Sequence, residues 1–567
     1  MNYELIVDHL KEKGYSASLG NFHEFQCIEV IVQYEDYCLE FIHFCENEIT
    51  SLPSFYLKNP GSFAPLSHVL TDNKNELGSI CIGDQDSISV NYEIPHLAFE
   101  ESIKRHIALI LRNIADPDWN KSELLREFYS NWLNICSNRK KDLVCAASGE
   151  FEKINVFHPL PKLSFGIGAQ FIGITPSVLK LADFSYLVRQ QKNRSKAGEG
   201  FVIPLDKLAP APTSSNQVTE WYLNLIKNLT LPPNILHAKS KVFWLIFNAD
   251  TPSGKTWFGL HLSNTKNGKK TLPIKESSLV NWKIIPIGVK IFNKERLMPR
   301  SGATISLENK SALLVGCGSV GGEIALKLGS AGIGKIVLSD PDIYSLDNIY
   351  RHVLDDHFIG CPKSTALKIV LKSKYPWIKA EHMQFKLLRL CDKAFLESFD
   401  LIVIAIGSPT HERIFHDFIV NNKIKIPVIN TWLEGYGIGG HATIDIRSSK
   451  GCLRCAYVDM DKGTRGLSSN LNFLEDEQSI TVNHAGCGEL YLPYNSISAA
   501  QTALIASNLA INYLMSSITE SSKVSWKGDH AEVTERGFHV THRYTIFDKS
   551  LEILPLHNEY CDLCHEE

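Results

Sequence analysis

The stretch SALLVGCGSVGGEIALKLGSAGIGKIVLSDPDIYSLDNIYRHVLDDHFIGCPK, Ser311 to Lys363, decides how the C-terminal half of this chain folds. Ala312 to Val315 is an apolar run short enough for a buried parallel strand, and Gly316, Gly318 and Gly321 follow it at GxGxxG spacing. Glycines so placed let the amides that open the next helix approach phosphate closely. The spacing alone would suit a nicotinamide dehydrogenase equally well, with Asp340 at the end of the second strand on ribose. Downstream, Asp342, Asn348, Arg351 and Lys363 add polar groups that a dinucleotide fold does not need there. Two cations and an amide suit a triphosphate, because Arg and Lys can stabilise charge developing at phosphorus as pyrophosphate leaves. ATP is therefore expected in preference to NAD.

The chain has 567 residues, 44% of them hydrophobic, which predicts a globular α/β protein of several domains with ample core. A formal net charge of -4 offers no basic excess for nucleic acid. No apolar segment reaches membrane-spanning length, and MNYELIVDHLKEKG lacks the basic region, apolar core and cleavage site of a signal peptide. A cytoplasmic protein without nucleic-acid or membrane partners is expected. Its 14 cysteines should then be thiols or metal ligands rather than disulfides.

Near the N-terminus, IEVIVQYEDYCLEFIHF (28 to 44) alternates apolar and polar residues as paired strands do, and FEESIKRHIALILRNI (99 to 114) has helical spacing. Residues 1–140 are expected to form a small α+β domain with Cys81, in GSICIGD, at its centre. A cysteine flanked by Ile80 and Ile82 is by default a small buried hydrophobe. Residues 141–300 predict a mixed α/β linker domain, with strand-like runs KVFWLIFNA and WKIIPIGVKIF and Asp, Lys and His residues at the surface. The stretch KNRSKAGEG within it has the composition of a mobile connection.

Residues 301–567 are expected to form the nucleotide domain. Cys452 and Cys455 in GCLRCAY pair with Cys561 and Cys564 in NEYCDLCHEE to give four soft ligands in two CxxC units, the set that tetrahedral structural Zn2+ prefers. Between them, Cys487 in NHAGCGELYLPYN precedes a small-residue-rich helical stretch. Amides at a helix N-terminus lower a thiol's pKa, and Gly486 and Gly488 leave the sulfur accessible, so Cys487 is a candidate nucleophile. Cys317, inside the glycine loop, is expected to pack.

The run GxGxxG, Asp340, Asn348-x-x-Arg351 and Lys363 resembles the Rossmann-like adenylation domain of ThiF, MoeB and the ubiquitin-activating enzymes, whose members also have the two CxxC pairs. The resemblance implies that a C-terminal glycine carboxylate attacks the α-phosphate of ATP, with Asp340 on ribose and Asn348, Arg351 and Lys363 on the phosphates. It also implies Mg2+ and a homodimer through this domain. Gly407, in GSPTHER, departs from the pattern, since the family has a Mg2+-binding aspartate there; Asp342 is the substitute candidate. The order of strands, proline-rich loop, histidine, G-x-I-C and helices at the N-terminus resembles the ubiquitin-conjugating fold, which makes Cys81 its acceptor cysteine and His68 its histidine. His68 is followed by Val69 and Leu70 instead of Pro-Asn, so the family's asparagine role passes to Asn73, Asn75 or Asp84 or is not needed. Cys487 resembles the thioester-forming cysteine of autophagy-type activating enzymes.

The whole order resembles the conjugating-activating fusions of bacterial CBASS antiphage operons, the CD-NTase-associated protein 2 family. That resemblance implies activation of the C-terminus of a cGAS-like nucleotidyltransferase, a thioester relay and ligation to lysines of a target protein. A sulfur-carrier adenylyltransferase would use the same ATP site without needing Cys81. A non-enzymatic scaffold would tolerate loss of Arg351, Lys363 and both cysteines, and their presence argues against it.

Overall fold

The computed structural model describes the chain apart from residues 46–49, 72–75, 84–87, 137–140, 162–165, 180–193, 267, 460, 484–489, 549–550 and 565–567. Two compact units emerge among the described residues, one within residues 1–179 and 194–293, the other within residues 294–567.

The first unit begins with α1 (Tyr3–Glu12), whose first amides are capped by the Asn2 side chain. Six strands follow, β1 (Ser16–Phe22), β2 (Phe25–Tyr34), β3 (Tyr37–Phe44), β4 (Tyr56–Lys58), β5 (Val69–Thr71) and β6 (Leu77–Ile80), in one antiparallel sheet ordered β1-β2-β3-β4-β6-β5. The alternation over 28–44 is the β2–β3 hairpin, in register from Cys27↔Phe44 to Tyr34↔Tyr37. Its inward residues Ile28, Val30, Leu39 and Phe41 are fully buried with Phe99, Ile103 and Ile110 of α2 (Pro95–Ala115). Two short helices, α3 (Pro117–Arg126) and α4 (Phe128–Ile135), lead on.

Residues 143–291 differ from the expected mixed linker in one respect: seven of their strands close into a barrel. Along Val242–Thr251, Phe243, Leu245 and Phe247 join an outer cluster with Tyr222 of the helix Val218–Lys227, while Trp244 and Ile246 join an inner one. Both faces are buried, so the strand reads as an uninterrupted apolar run in which no period shows. Two expectations are corrected. Within KNRSKAGEG, Lys196 to Gly200 belong to the barrel strand Lys196–Leu205, paired on both sides. His261, expected at the surface, is buried against Trp244, with its ring centroid 4.6 Å away and Lys141 Nζ 3.2 Å from Nδ1. Burial pushes its pKa down to about 4.

The second unit holds an eight-stranded sheet. Five strands run parallel in the order Lys379–Met383, Lys335–Ser339, Ser311–Val315, Leu401–Ile404 and Val428–Leu433; Gly439–Asp445, Ser522–Lys527 and Leu554–Pro555 continue it antiparallel. The chain leaves the central strand Ser311–Val315 with neighbours on opposite sides, so a crevice opens at its C-terminal end, where open α/β sheets bind ligands. The helix Ser319–Ala331 packs on this sheet beside the long helix Ser496–Leu514.

Candidate active site

The GxGxxG spacing has a steric reading in two of its glycines. Gly316 has φ +94°, and a Cβ there would lie 2.4 Å from the carbonyl oxygen of Ala405; a Cβ on Gly321 would lie 1.9 Å from the carbonyl oxygen of Gly316. Strand, turn and helix are thus locked together without side chains. Gly318 is different. It caps the helix Ser319–Ala331, and a Cβ on it would meet nothing within 4 Å, because it faces an open cleft.

That cleft has a volume of about 340 Å³, and its lining includes Gly316, Gly318, Asp340, Asp342 and Lys363. Five of the residues expected from the sequence therefore come together. Asp340 is buried at the end of Lys335–Ser339; its oxygens accept the N–H groups of Cys317 at 2.6 Å and Asp342 at 2.8 Å. Burial outweighs these bonds and raises its pKa. Asp342 and Lys363 form an ion pair of 3.1 Å at the rim. Cys317 is buried, its thiol pushed well up by that burial, in agreement with a packing role.

Gly321, Asn348 and Arg351 are not among the residues that line it. Asn348 closes a capping box on Ser345, accepting from the Ser345 amide at 3.2 Å, and so shapes the 3-10 turn Leu346–Arg351. Arg351 places its guanidinium 4.9 Å from the Tyr494 ring centroid, and the Tyr494 hydroxyl lies 3.3 Å from Ser319 Oγ at the first residue of the glycine-loop helix. His352, next in sequence, anchors this turn: its Nε2 lies 2.8 Å from the Cys317 carbonyl, and burial holds its pKa near 4, so it stays neutral and donates. Tyr494 and His352 escaped sequence reasoning, since neither belongs to a spacing pattern.

Gly407, at φ +61°, offers no metal ligand, and a Cβ there would meet nothing within 4 Å. Beside it, Ser408 and His411 join the cleft lining, with Ser408 Oγ 2.7 Å from His411 Nδ1. The carboxyl of Glu412 lies buried just behind, accepting from the Ser408 amide at 3.1 Å and from Asn430 Nδ2 at 2.9 Å. Burial pushes its pKa up to about 7. A carboxyl raised in the folded state binds more protons than in the unfolded chain between roughly pH 4.3 and this value, so stability falls as pH rises across that window, by up to about 1.4 kcal/mol per pH unit. Thermal melts from pH 5 to 8 should show this slope in the wild type and a flatter one in Glu412→Gln. Equal slopes would refute the assignment.

In the first unit, Cys81 directly follows β6 and is exposed rather than packed. Its N–H donates to the His68 carbonyl at 2.8 Å, which brings the two residues side by side. The His68 ring is otherwise engaged: Nδ1 lies 2.6 Å from Glu127 and Nε2 3.4 Å from Glu123. The Glu127 bond leads the causes that raise its pKa, so this imidazole favours the protonated form rather than that of a free base. Asn73, Asn75, Asp84 and Cys487 lie outside the described residues. The helix expected directly after Cys487 begins only at Ser496 with Asn495 as its cap, and strand Leu490–Tyr491 intervenes, so the helix does not start next to that thiol in sequence as expected.

Cys452, Cys455, Cys561 and Cys564 come together from far apart in sequence, all four sulfurs within 4.8 Å of one another. Separations of 3.6 Å (Cys455 to Cys564, Cys564 to Cys452) and 3.9 Å (Cys452 to Cys561) match the edge of about 3.8 Å that a tetrahedron with Zn–S bonds of about 2.3 Å requires. Arg454, between the first two, reaches Asp417 at 2.9 Å and Asp562 at 3.3 Å and braces the knuckle. The donor set fits a structural zinc ion that ties the C-terminal segment down. Metal analysis should give one zinc per chain, and Cys561→Ser should lose it and melt several degrees lower or turn insoluble. A metal-free, equally stable variant would refute this.

Residues 296–548 match the model of the ThiF family. Those residues form a ThiF domain. Among curated proteins, the ATP-dependent ubiquitin transferase-like protein Cap2 of Pseudomonas aeruginosa is 26% identical over 255 residues, 43% of this chain and 44% of that one. The adenylyltransferase and sulfurtransferase UBA4 of Candida albicans is 27% identical over 177 residues, covering 30% and 39%. The match thus spans less than half the length of these relatives. Among solved structures, E. coli MccB with ATP is 17% identical, covering 42% of this chain and 64% of that one, with a TM-score of 0.30. Among the described residues, no helix of the chain is long and apolar enough to cross a membrane.

Proposed function

We propose that this chain activates a protein C-terminal glycine with ATP and passes it through thioesters on Cys487 and Cys81 to a target lysine. The observation behind the reading is the pairing, in one chain, of the glycine-lined cleft containing Asp340 and Lys363 with an exposed cysteine on a separate α+β sheet. The carboxylate attacks the α-phosphorus, and the bond to pyrophosphate breaks. Lys363 and Arg351 neutralise the charge that gathers on the phosphate oxygens, while Asp340 orients ribose. A bound Mg2+ would neutralise pyrophosphate, with Asp342 the carboxylate available at the rim. The Cys487 thiolate then attacks the acyl carbon and AMP leaves; Cys81 exchanges for Cys487; the target amine attacks and the Cys81 thiolate departs.

The similarity to a protein named as ubiquitin transferase-like supports conjugation, and the resemblance to the CBASS fusions supports a cGAS-like nucleotidyltransferase as the carried protein. We take the enzyme to act as a homodimer through its ThiF domain, in the cytoplasm. The similarity to an adenylyltransferase and sulfurtransferase favours a second reading, activation of a ubiquitin-like or sulfur-carrier protein. Incubation with ATP, Mg2+ and each kind of protein separates them. A thiol-sensitive adduct on Cys81 supports conjugation, and adenylation that never charges Cys81 supports the second reading.

A further inference from the structure

We propose that the outer edge of β5 seats the extended C-terminal tail of the carried protein, as an added antiparallel strand, while that tail is linked to Cys81. This rests on the thioester reading above. β5 stands last in its sheet and pairs only with β6, so its other edge has no strand partner among the described residues. Which backbone groups face outward follows from one bond. The His68 carbonyl accepts from Cys81 N–H, and Leu70 pairs with Ser79, so residues 68 and 70 turn toward β6 and the alternate residues Val69 and Thr71 turn away from it. Asn134 Nδ2 donates to the Thr71 carbonyl at 3.3 Å from that outer side, as this alternation requires.

The edge opens on a cavity of about 300 Å³, walled by Val69, Leu70 and Thr71, by Asn131 and Asn134 of α4, and by Gln217. No charged side chain lines it among the described residues. A strand edge without a strand partner, faced by neutral carboxamides of which Asn134 already holds the Thr71 carbonyl, is built to take peptide groups, and the lack of charge selects a neutral segment with small side chains. Position fixes direction. Cys81 stands beside His68, at the start of β5, so a tail joined to the Cys81 sulfur meets that end first and runs antiparallel to β5. Val69 to Thr71 span about 7 Å at the rise of a strand, so four or five tail residues suffice, the last of them crossing to the sulfur.

The test bypasses ATP and Cys487, so its failure is distinct from failure of the relay. An uncharged hexapeptide ending in a glycine thioester of thiophenol is offered to the full chain, and loading of Cys81 is followed by mass spectrometry of its tryptic peptide. The Cys81 sulfur bonds to the glycyl carbonyl carbon as the bond to the thiophenol sulfur breaks; thiophenolate leaves with the electron pair, and the Cys81 proton passes to solvent. Loading should be at least tenfold faster than on glutathione. N-methylation should slow it at every second peptide residue and leave it unchanged at the residues between. Thr71→Pro removes an outward N–H and no bond to β6, so the sheet should survive while loading falls about tenfold. Iodoacetamide should still label Cys81 in that variant at the wild-type rate. Rates indifferent to the position of N-methylation, or no faster than on glutathione, would overturn the proposal even if Thr71→Pro fails to fold.

Discussion

Arg351→Ala is expected to abolish substrate-dependent exchange of pyrophosphate into ATP, and Lys363→Ala to reduce it at least 100-fold. Each removes a positive group from charge developing on the transferring phosphate, a loss of roughly 3 kcal/mol or more on the scale of single transition-state donors, hence about two orders of magnitude in rate. The two cations are held differently. Lys363 lines the cleft and pairs with exposed Asp342, which solvent can satisfy when the lysine is gone. Arg351 lies over Tyr494, whose hydroxyl reaches the glycine-loop helix at Ser319, so its planar cation is held by stacking rather than by an acidic partner. Arg351→Lys should therefore recover only part of the exchange, because an ammonium keeps the charge and loses the stacked, forked geometry. Neither variant should change the melting temperature by more than about a degree, since surface pairs of this kind contribute little to stability. Wild-type exchange by Arg351→Ala would remove the residue from the mechanism.

What was legible in the sequence was what local chemistry forces. The β2–β3 hairpin is half-buried, so its two-residue period survives in IEVIVQYEDYCLEFIHF; Gly316 and Gly321 are required by backbone contacts within 2.4 Å, so their spacing shows. The four metal-type cysteines show because each pair needs only a CxxC turn, although residues 452 and 564 must be brought together by the fold. The barrel was hidden because burial on both faces of Val242–Thr251 erases the alternation that would have marked it. His261 read as a surface group, and Glu412 drew no reading at all, because nothing in their neighbourhoods along the chain announces the sheet or helix that covers them. The partners of His68 were equally out of reach: Glu123 and Glu127 lie 55 and 59 residues further on, in α3 and at the cap of α4, and approach it only in the folded chain.

Cys81→Ala and Cys487→Ala should stop the reaction at different stages, and the stages are visible on gels. The order follows from where each group stands. On the proposed reading adenylate forms at the cleft of the second unit, whose sequence also contains Cys487, whereas Cys81 is exposed on the sheet of the first unit, where a protein amine can approach it. With Cys81→Ala, ATP and a nucleotidyltransferase ending in glycine should still give a thiol-sensitive adduct on Cys487, and no isopeptide product should form. With Cys487→Ala, exchange of pyrophosphate should persist while Cys81 stays uncharged, because no thioester remains for it to attack. Both losses should be complete within detection, since removing the sulfur removes the covalent intermediate itself. His68→Ala makes a useful third lane. Its ring is held by Glu127 and Glu123, so the variant should load Cys81 and release product more slowly by a modest factor, through a loosened β5 rather than a missing base. Charging of Cys81 in the Cys487→Ala protein would mean that the adenylate is attacked by Cys81 directly, and the relay would reduce to one thioester.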